Sequence, residues 1–125
     1  MQQVRIHNRT RPARTPLQAM SCDSFFGRLR GLMFRPSIQP NEGLLMIQPR
    51  EDRMDAAIHM LFMRFDIAVV WAGADLRVVD TCLARRWRPA YMPARAALYV
   101  LETHPDRLDD YKIGDQLVIE PCADV

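Results

Sequence analysis

The sequence predicts a mainly β protein (α+β by element count): a small barrel-like or sandwich domain of about six or seven strands with two short helices. Two observations support this fold class. Short runs rich in Val, Ile and Leu are separated by turns marked by Gly, Pro, Asn and Asp, and an extended helical spacing of apolar residues occurs near the N-terminus only. A chain of 125 residues can bury one core without disulfides. Residues 1–125 are therefore predicted to form a single domain that begins with a basic strand and loop, residues 1–20.

The first third of the chain predicts a strand and then a helix. Apolar and polar residues alternate from Val4 to His7, which is typical of a half-buried edge strand. Pro12 and Pro16 mark the loop that follows it. Asp23 or Ser24 can cap a helix. The apolar residues of that helix recur at helical spacing: Phe25, Phe26, Leu29, Leu32 and Met33.

The middle of the chain predicts two strands. Gly43–Ile47 is expected to be a short buried strand, and Arg50–Asp55 a charged turn. In the apolar stretch IHMLFMRFDIAVVW, Ile58–Trp71, a helix would scatter the three polar residues around its axis. As a strand, the stretch places His59 on the core face with the other odd positions, whereas Arg64 and Asp66 share the solvent face. The sequence therefore predicts one long strand.

A hairpin is predicted next. Ala72–Asp75 forms the turn, in which Gly73 can adopt positive φ, and Leu76–Leu83 returns as the second strand. The loop Arg85–Tyr91 follows, and Ala94–Glu102 is another strand.

The C-terminal part predicts a short helix and a last strand. Thr103 with Asp106 resembles a capping box, which opens a helix of one or two turns. That helix ends near Tyr111. Gly114 and Asp115 then turn the chain into the final strand, Gln116–Glu120.

Composition and missing motifs exclude several classes of protein. The nucleotide-binding, zinc-hydrolase, serine-hydrolase and calcium-binding signatures are all lacking. A net charge of +2 is small for a nucleic-acid-binding domain, so nucleic acid is an unfavoured partner. The N-terminus has no apolar signal core, and charged residues interrupt the longest apolar run, so we expect a cytoplasmic protein without a membrane segment.

We also expect no metal and no cofactor. The three cysteines, Cys22, Cys82 and Cys122, lack metal-ligand spacing, and His7, His59 and His104 are scattered. Elemental analysis of the untagged protein should therefore detect no stoichiometric zinc or iron. Unfolding on addition of a chelator would contradict this expectation.

Two parts of the sequence are candidates for binding. His59 lies at the start of an apolar strand, where it is either a core histidine or a group at the rim of a pocket. The loop Arg85–Tyr91 combines cationic and aromatic side chains that can hold an anionic group and stack on a ring. Its candidate binding residues are Arg85, Arg86, Trp87, Arg88 and Tyr91. The same loop is also consistent with arginine stems that cover an exposed tryptophan.

Six segments, in this order and spacing, resemble the bacterial and archaeal family known as domain of unknown function 192. They are RGLMFR from Arg30, NEGLLM from Asn41, IHMLFMRFDIAVVW, LRVVD from Leu76, ARAALYVLE from Ala94 and KIGDQLVI from Lys112. The resemblance covers residues 21–121 approximately. It implies a compact, mainly β domain that resembles a small barrel and has no established activity.

The chain departs from that resemblance at one position. Relatives tend to have Phe-Pro-Ile-Asp where this chain has Phe65, Asp66, Ile67 and Ala68. A carboxylate of the family is therefore replaced here by alanine.

Three functions remain open. The favoured one is a non-catalytic β domain that binds a small anionic ligand or a protein partner. The alternative is a small hydrolase or isomerase that uses His59 with a carboxylate such as Asp80 or Glu42. The third is binding of single-stranded nucleic acid through the loop Arg85–Tyr91.

Overall fold

The structure, a computed structural model, describes residues 2–24, 27–28 and 31–122. In these ranges seven strands form one sheet, in the spatial order β5-β4-β6-β3-β2-β1-β7. A 3₁₀ helix, Pro105–Asp110, connects β6 to β7. The strands are β1 Gln2–Asn8, β2 Leu17–Cys22, β3 Glu42–Asp52, β4 Ile67–Ala72, β5 Val78–Ala84, β6 Ala97–Thr103 and β7 Leu117–Pro121. The predicted fold class is confirmed.

The sheet curls into a half-barrel. Strands β5 and β7 lie at opposite ends of the strand order, yet their first residues meet. The Val78 amide donates a hydrogen bond to the Asp115 carbonyl at 2.9 Å, and the Leu117 amide donates to the Leu76 carbonyl at 2.9 Å. These bonds close the curl at one corner. Neighbouring strands are antiparallel except β2 and β3, which are parallel.

The curled sheet has a hydrophobic core on each face. We call inner the face whose core takes residues from all seven strands, and outer the face that loops cover. The inner core includes Ile6, Leu17, Leu45, Val70, Val78, Leu101 and Leu117. The outer core includes Leu44, Met46, Met60, Met63, Trp71 and Val100. Every residue of β4 is buried because Ile67, Val69 and Trp71 pack on the outer face while Val70 and Ala72 pack on the inner face.

The prediction of one strand over Ile58–Trp71 is wrong in its first half. Strand β4 begins at Ile67, and the preceding residues form an irregular loop that covers the outer face. Met60 and Met63 are buried in the outer core, but Leu61 is 39% exposed and Phe65 is half-buried. An apolar run that packs on a sheet as a loop gives the same sequence pattern as a strand.

Three other strand predictions need correction. Strand β1 lies between β2 and β7 and is not at an edge. Strand β2 was not predicted, although it follows the proline-marked loop directly. Strand β3 runs to Asp52, so the predicted charged turn starts later than expected.

The caps and turns differ from the prediction in detail. The side chain of His104, and not Thr103, caps the 3₁₀ helix by accepting a hydrogen bond from the Asp106 amide at 3.0 Å. In the β4–β5 hairpin Leu76 takes the positive φ, 63°, that we expected of Gly73. Ser24 caps a helical turn at residues 27–28 by accepting from the Gly27 amide. Phe25, Phe26 and Leu29 of the predicted helix lie outside the described residues.

No helix within residues 2–24, 27–28 and 31–122 has the length and the apolar character needed to cross a bilayer. The three cysteines are free thiols. Cys22 is buried, and Cys82 and Cys122 are half-buried. Burial, assisted by the charge of Asp80, raises the pKa of Cys82 to about 11, so its thiol stays protonated at neutral pH.

Candidate functional site

The outer face of the sheet carries one buried carboxylate, Glu102 on β6, among the described residues. The register of β3 and β6 pairs Leu44 with Glu102 and Met46 with Val100. Because paired residues of antiparallel strands point to the same face, Glu102 shares the outer face with these three core side chains. Its exposed fraction is 5%.

Glu102 lines a cavity of about 330 Å³ between the outer face and the loops that cover it. We call this cavity the Glu102 pocket. Its apolar wall consists of Leu32, Met33, Met46, Pro49, Ala57, Ile58 and Met63. Its polar groups are Arg28, Gln48, Asp55, His59 and Glu102. The volume is within the range of sites that bind small molecules.

Gly31 allows the covering loop to approach Glu102. It has a φ of +49°, and a Cβ at this position would lie 3.5 Å from the Glu102 Oε1 atom. A side chain would therefore strain the backbone, although its Cβ would only be in ordinary van der Waals contact with the carboxylate. The glycine of the GLM segment thus brings Leu32 and Met33 to the wall of the pocket.

The Glu102 carboxylate accepts no hydrogen bond from the residues that the structure describes. Its burial disfavours the charged form and raises its pKa to about 7. At neutral pH the group can therefore exchange a proton at little cost. A raised pKa of this kind in a concave site is typical of functional carboxylates.

The predicted candidate residues fall into two places. His59 is half-buried and lines the Glu102 pocket, with its Nδ1 atom buried. The loop residues Arg85, Arg86, Trp87, Arg88 and Tyr91 do not line this pocket. The loop nevertheless lies directly beside His59, because Ile58 and Tyr91 exchange two backbone hydrogen bonds of 2.9 Å. The Trp87 amide also donates to the Met60 carbonyl at 2.7 Å.

The carboxylates that we considered as partners of His59 have other roles. Asp80 accepts hydrogen bonds from the Thr81 and Ala94 amides, each at 2.9 Å. Glu42 pairs with Arg35 at 2.9 Å. Neither lines the Glu102 pocket, so the carboxylates that share a cavity with His59 are Glu102 and Asp55.

Glu102 was not among the predicted candidate residues, although the sequence contains a signal for it. Residues two apart in a strand share a face, so a core position at Val100 places Glu102 on the same apolar face. A glutamate at such a position is unusual in a packed core.

The GD segment near the C-terminus is structural. Asp115 is 3% exposed. It accepts hydrogen bonds from Asn8 Nδ2 and Arg11 Nε, each at 2.8 Å, and from the Lys112 amide at 2.9 Å. Burial opposes its ionisation, but these bonds and the charge of Arg11 outweigh burial and lower the pKa of Asp115. The carboxylate thereby joins the N-terminal strand to the last turn.

A family model, described as uncharacterized ACR, matches residues 6–119. The chain belongs to the DUF192 family. The match starts before the region, about residue 21 onward, in which the sequence analysis identified the resemblance. Nothing in the family description indicates catalysis.

Curated relatives of this DUF192 protein are archaeal UPF0127 proteins. One from Thermococcus gammatolerans is 46% identical over 80 residues, which are 64% of this chain and 50% of the relative. One from Thermococcus sibiricus is 43% identical over 98 residues, 76% of this chain and 61% of the relative. The chain thus spans about half to three fifths of these two relatives. A shorter relative from Pyrococcus furiosus is 33% identical over 112 residues, 88% of this chain and 93% of the relative.

Two solved structures share the fold. A protein of unknown function from Novosphingobium aromaticivorans DSM 12444 has a TM-score of 0.80 at 21% identity, over 93% of this chain and 83% of that chain. A protein from Sinorhizobium meliloti 1021, proposed to be a transcription regulator, has a TM-score of 0.81 at 16% identity, over 94% and 92% of the two chains. At these identities the likeness concerns the fold alone.

Proposed function

We propose that this DUF192 protein is a non-catalytic binding domain that holds a small organic amine with an apolar body in the Glu102 pocket. One observation carries the proposal: a carboxylate that is 5% exposed borders a cavity and accepts no hydrogen bond from the described residues. A buried charge without a partner is costly. A ligand that donates hydrogen bonds from an ammonium group would remove that cost.

The rest of the wall suits the remainder of such a ligand. Three of its seven apolar side chains are methionines, Met33, Met46 and Met63. Methionine is flexible and polarisable, so it can adapt to ligands of different shapes and contact aromatic rings favourably. The pocket therefore favours an alkyl or aryl body beside the ammonium group.

The other charged groups of the pocket have partners within the protein. Asp55 accepts a hydrogen bond from Arg50 Nε at 2.9 Å, and the Arg28 guanidinium donates to the Asp23 carbonyl. These contacts leave Glu102 as the carboxylate best placed to receive a cation. Because its pKa is about 7, the affinity for an amine should rise as the pH increases through this value and the carboxylate ionises.

A thermal-shift screen at about pH 8 tests the proposal. The probes are primary amines with alkyl, cycloalkyl and aryl bodies, each matched with the alcohol and the carboxylate of the same body. We expect amines to raise the Tm of the wild type and to leave that of Glu102→Gln unchanged, because the amide carries no charge to pair with the ammonium. Alcohols and carboxylates should have little effect.

The control variant is Glu120→Gln, which removes a carboxylate that is 55% exposed on β7. It should respond to amines as the wild type does. Carboxylates that stabilise the protein more than amines do, or an equal response to amines in Glu102→Gln, would refute the proposal.

The cellular location that we propose is the cytoplasm. The support is chemical, because three free cysteines, two of them half-buried, are suited to a reducing compartment.

A further inference from the structure

Three exposed aromatic rings from three different loops contact one another on the protein surface. The ring centroids of Phe34 and Phe62 are 5.4 Å apart, and those of Phe62 and Trp87 are also 5.4 Å apart. Their exposed fractions are 60%, 46% and 57%, respectively. A contiguous, exposed apolar patch of this kind often marks an interaction site.

The backbone holds each of these rings in a strained conformation. Phe34, Phe62 and Trp87 have φ values of 68°, 62° and 69°. Within the described ranges they are three of the four residues other than glycine with positive φ. Bulky residues rarely adopt this conformation, and where they do the strain often marks a functional surface.

Backbone hydrogen bonds between the loops maintain the strain. The Phe34 amide donates to the Phe62 carbonyl at 3.2 Å, and the Trp87 amide donates to the Met60 carbonyl at 2.7 Å. The Met60 amide in turn donates to the Arg88 carbonyl at 2.9 Å. The three rings thus lie on loops that are joined to one another by backbone hydrogen bonds.

Four arginines lie within two residues of Phe62 or Trp87 in the sequence. Arg64, Arg85 and Arg88 are exposed, and their side chains form no ion pair within the part of the chain that the structure describes. A fourth, Arg86, pairs with Asp66 at 3.5 Å. The exposed residues next to Phe62 and Trp87 in the sequence therefore carry excess positive charge. We call the rings Phe34, Phe62 and Trp87 together with Arg64, Arg85 and Arg88 the aromatic–arginine surface.

We propose that the aromatic–arginine surface is the docking site for an acidic, amphipathic segment of a partner protein. Apolar side chains of the partner would cover the rings while its Asp and Glu residues pair with the arginines. Tryptophan, phenylalanine and arginine are enriched at protein–protein interfaces, and tryptophan and arginine are frequent among the residues that dominate binding.

The contacts between the rings favour a protein segment over single-stranded nucleic acid. Stacked bases require ring faces that are separately available. Here Phe62 packs against Phe34 with an interplanar angle of 32° and against Trp87 with an angle of 63°. Such packing gives one continuous, uneven apolar surface.

Selection from a library of displayed random dodecapeptides tests the proposal without knowledge of the natural partner. The bait is the full chain, with counter-selection against the triple variant Phe34→Asn Phe62→Asn Trp87→Asn. Asparagine tolerates positive φ, so the variant removes the rings and keeps the loops; circular dichroism and a thermal melt check its fold. We expect the enriched peptides to combine Asp or Glu with Leu, Ile or Phe.

A second variant, Arg64→Gln Arg85→Gln Arg88→Gln, keeps the rings and removes the charges. An enriched peptide should bind to each triple variant at least about tenfold more weakly than to the wild type, and its affinity for the wild type should fall as salt is added. Glu102→Gln should bind it as the wild type does, which separates this surface from the proposed ligand pocket. Lack of enrichment, enrichment of peptides without acidic residues, or tighter binding of oligothymidine to this surface would overturn the proposal.

Discussion

Replacing Asp115 with alanine is expected to lower the free energy of unfolding by about 3 kcal/mol, because it removes the acceptor of three hydrogen bonds in a site where Asp115 is 3% exposed. The Asn8 side chain would lose one of its two sequence-distant acceptors and keep the Asp110 carbonyl. The N-terminal strand would therefore be held less firmly to the last turn. Urea unfolding at about pH 7, followed by circular dichroism, measures the difference.

The sign of the pH dependence follows from the pKa of Asp115, which is lower in the folded state than its ordinary value of 3.8. The carboxylate therefore stabilises the fold fully above that ordinary value, and the contribution is lost as the pH falls through the folded-state pKa. The wild type and Asp115→Ala should thus converge in strong acid. The matched control is Asp109→Ala, because the Asp109 side chain is 90% exposed beside Lys112. This substitution should lower the free energy of unfolding by less than about 1 kcal/mol. Equal losses in both variants would show that the Asp115 network contributes little.

Replacing Glu102 with glutamine is expected to have the opposite effect near neutral pH. It should raise the free energy of unfolding of the ligand-free protein. Burial raises the pKa of Glu102 from 4.5 to about 7 in the folded state. Folded molecules therefore keep a proton that unfolded molecules have already lost between these two values. The stability associated with the protonated group is complete below about pH 4.5 and is lost as the pH rises through about 7.

The size of this effect can be as large as about 3 kcal/mol, since each unit of pKa shift corresponds to about 1.4 kcal/mol. Urea unfolding at intervals from about pH 4.5 to 8 should show that the wild type loses stability relative to Glu102→Gln across this interval. Glu120→Gln, on the exposed part of β7, should follow the wild type. A constant difference between wild type and Glu102→Gln at every pH would mean that Glu102 ionises normally in the folded protein.

Local sequence patterns were sufficient for the elements whose signals are local. The β4–β5 hairpin, β6, the short helix before Tyr111 and β7 all lie close to their predicted positions, because turn residues and period-two alternation operate over a few neighbours. Errors at these elements concern one residue or a few. His104 replaces Thr103 as the cap because either side chain can reach an exposed amide, and only the actual backbone path decides between them.

Sequence patterns failed where a segment takes its structure from distant contacts. The loop before Ile67 is as apolar as a strand because Met60 and Met63 pack on the outer face of the sheet. Strand β2 exists because it has partners on both sides, β1 and the parallel strand β3. Neither partnership leaves a mark within the segment itself.

The candidate sites likewise divide into residues that local sequence patterns identify and residues that only distant contacts bring together. The sequence alone identified His59 and the loop Arg85–Tyr91 as candidates, because their residue types carry the signal. It did not place Glu102 in a cavity, or Phe34 and Phe62 beside Trp87, because these groups are far apart in the chain.

By itself, then, the sequence determined the class of fold, the positions of most strands along the chain and the DUF192 resemblance, all of which depend on local sequence patterns. Only the tertiary structure decided how the sheet curls, which gives it a core on each face. It also decided that Glu102 borders a cavity under Gly31 and that three loops share one aromatic surface. The physical reason is that burial and charge pairing depend on the distance between atoms in space, which one sequence does not specify.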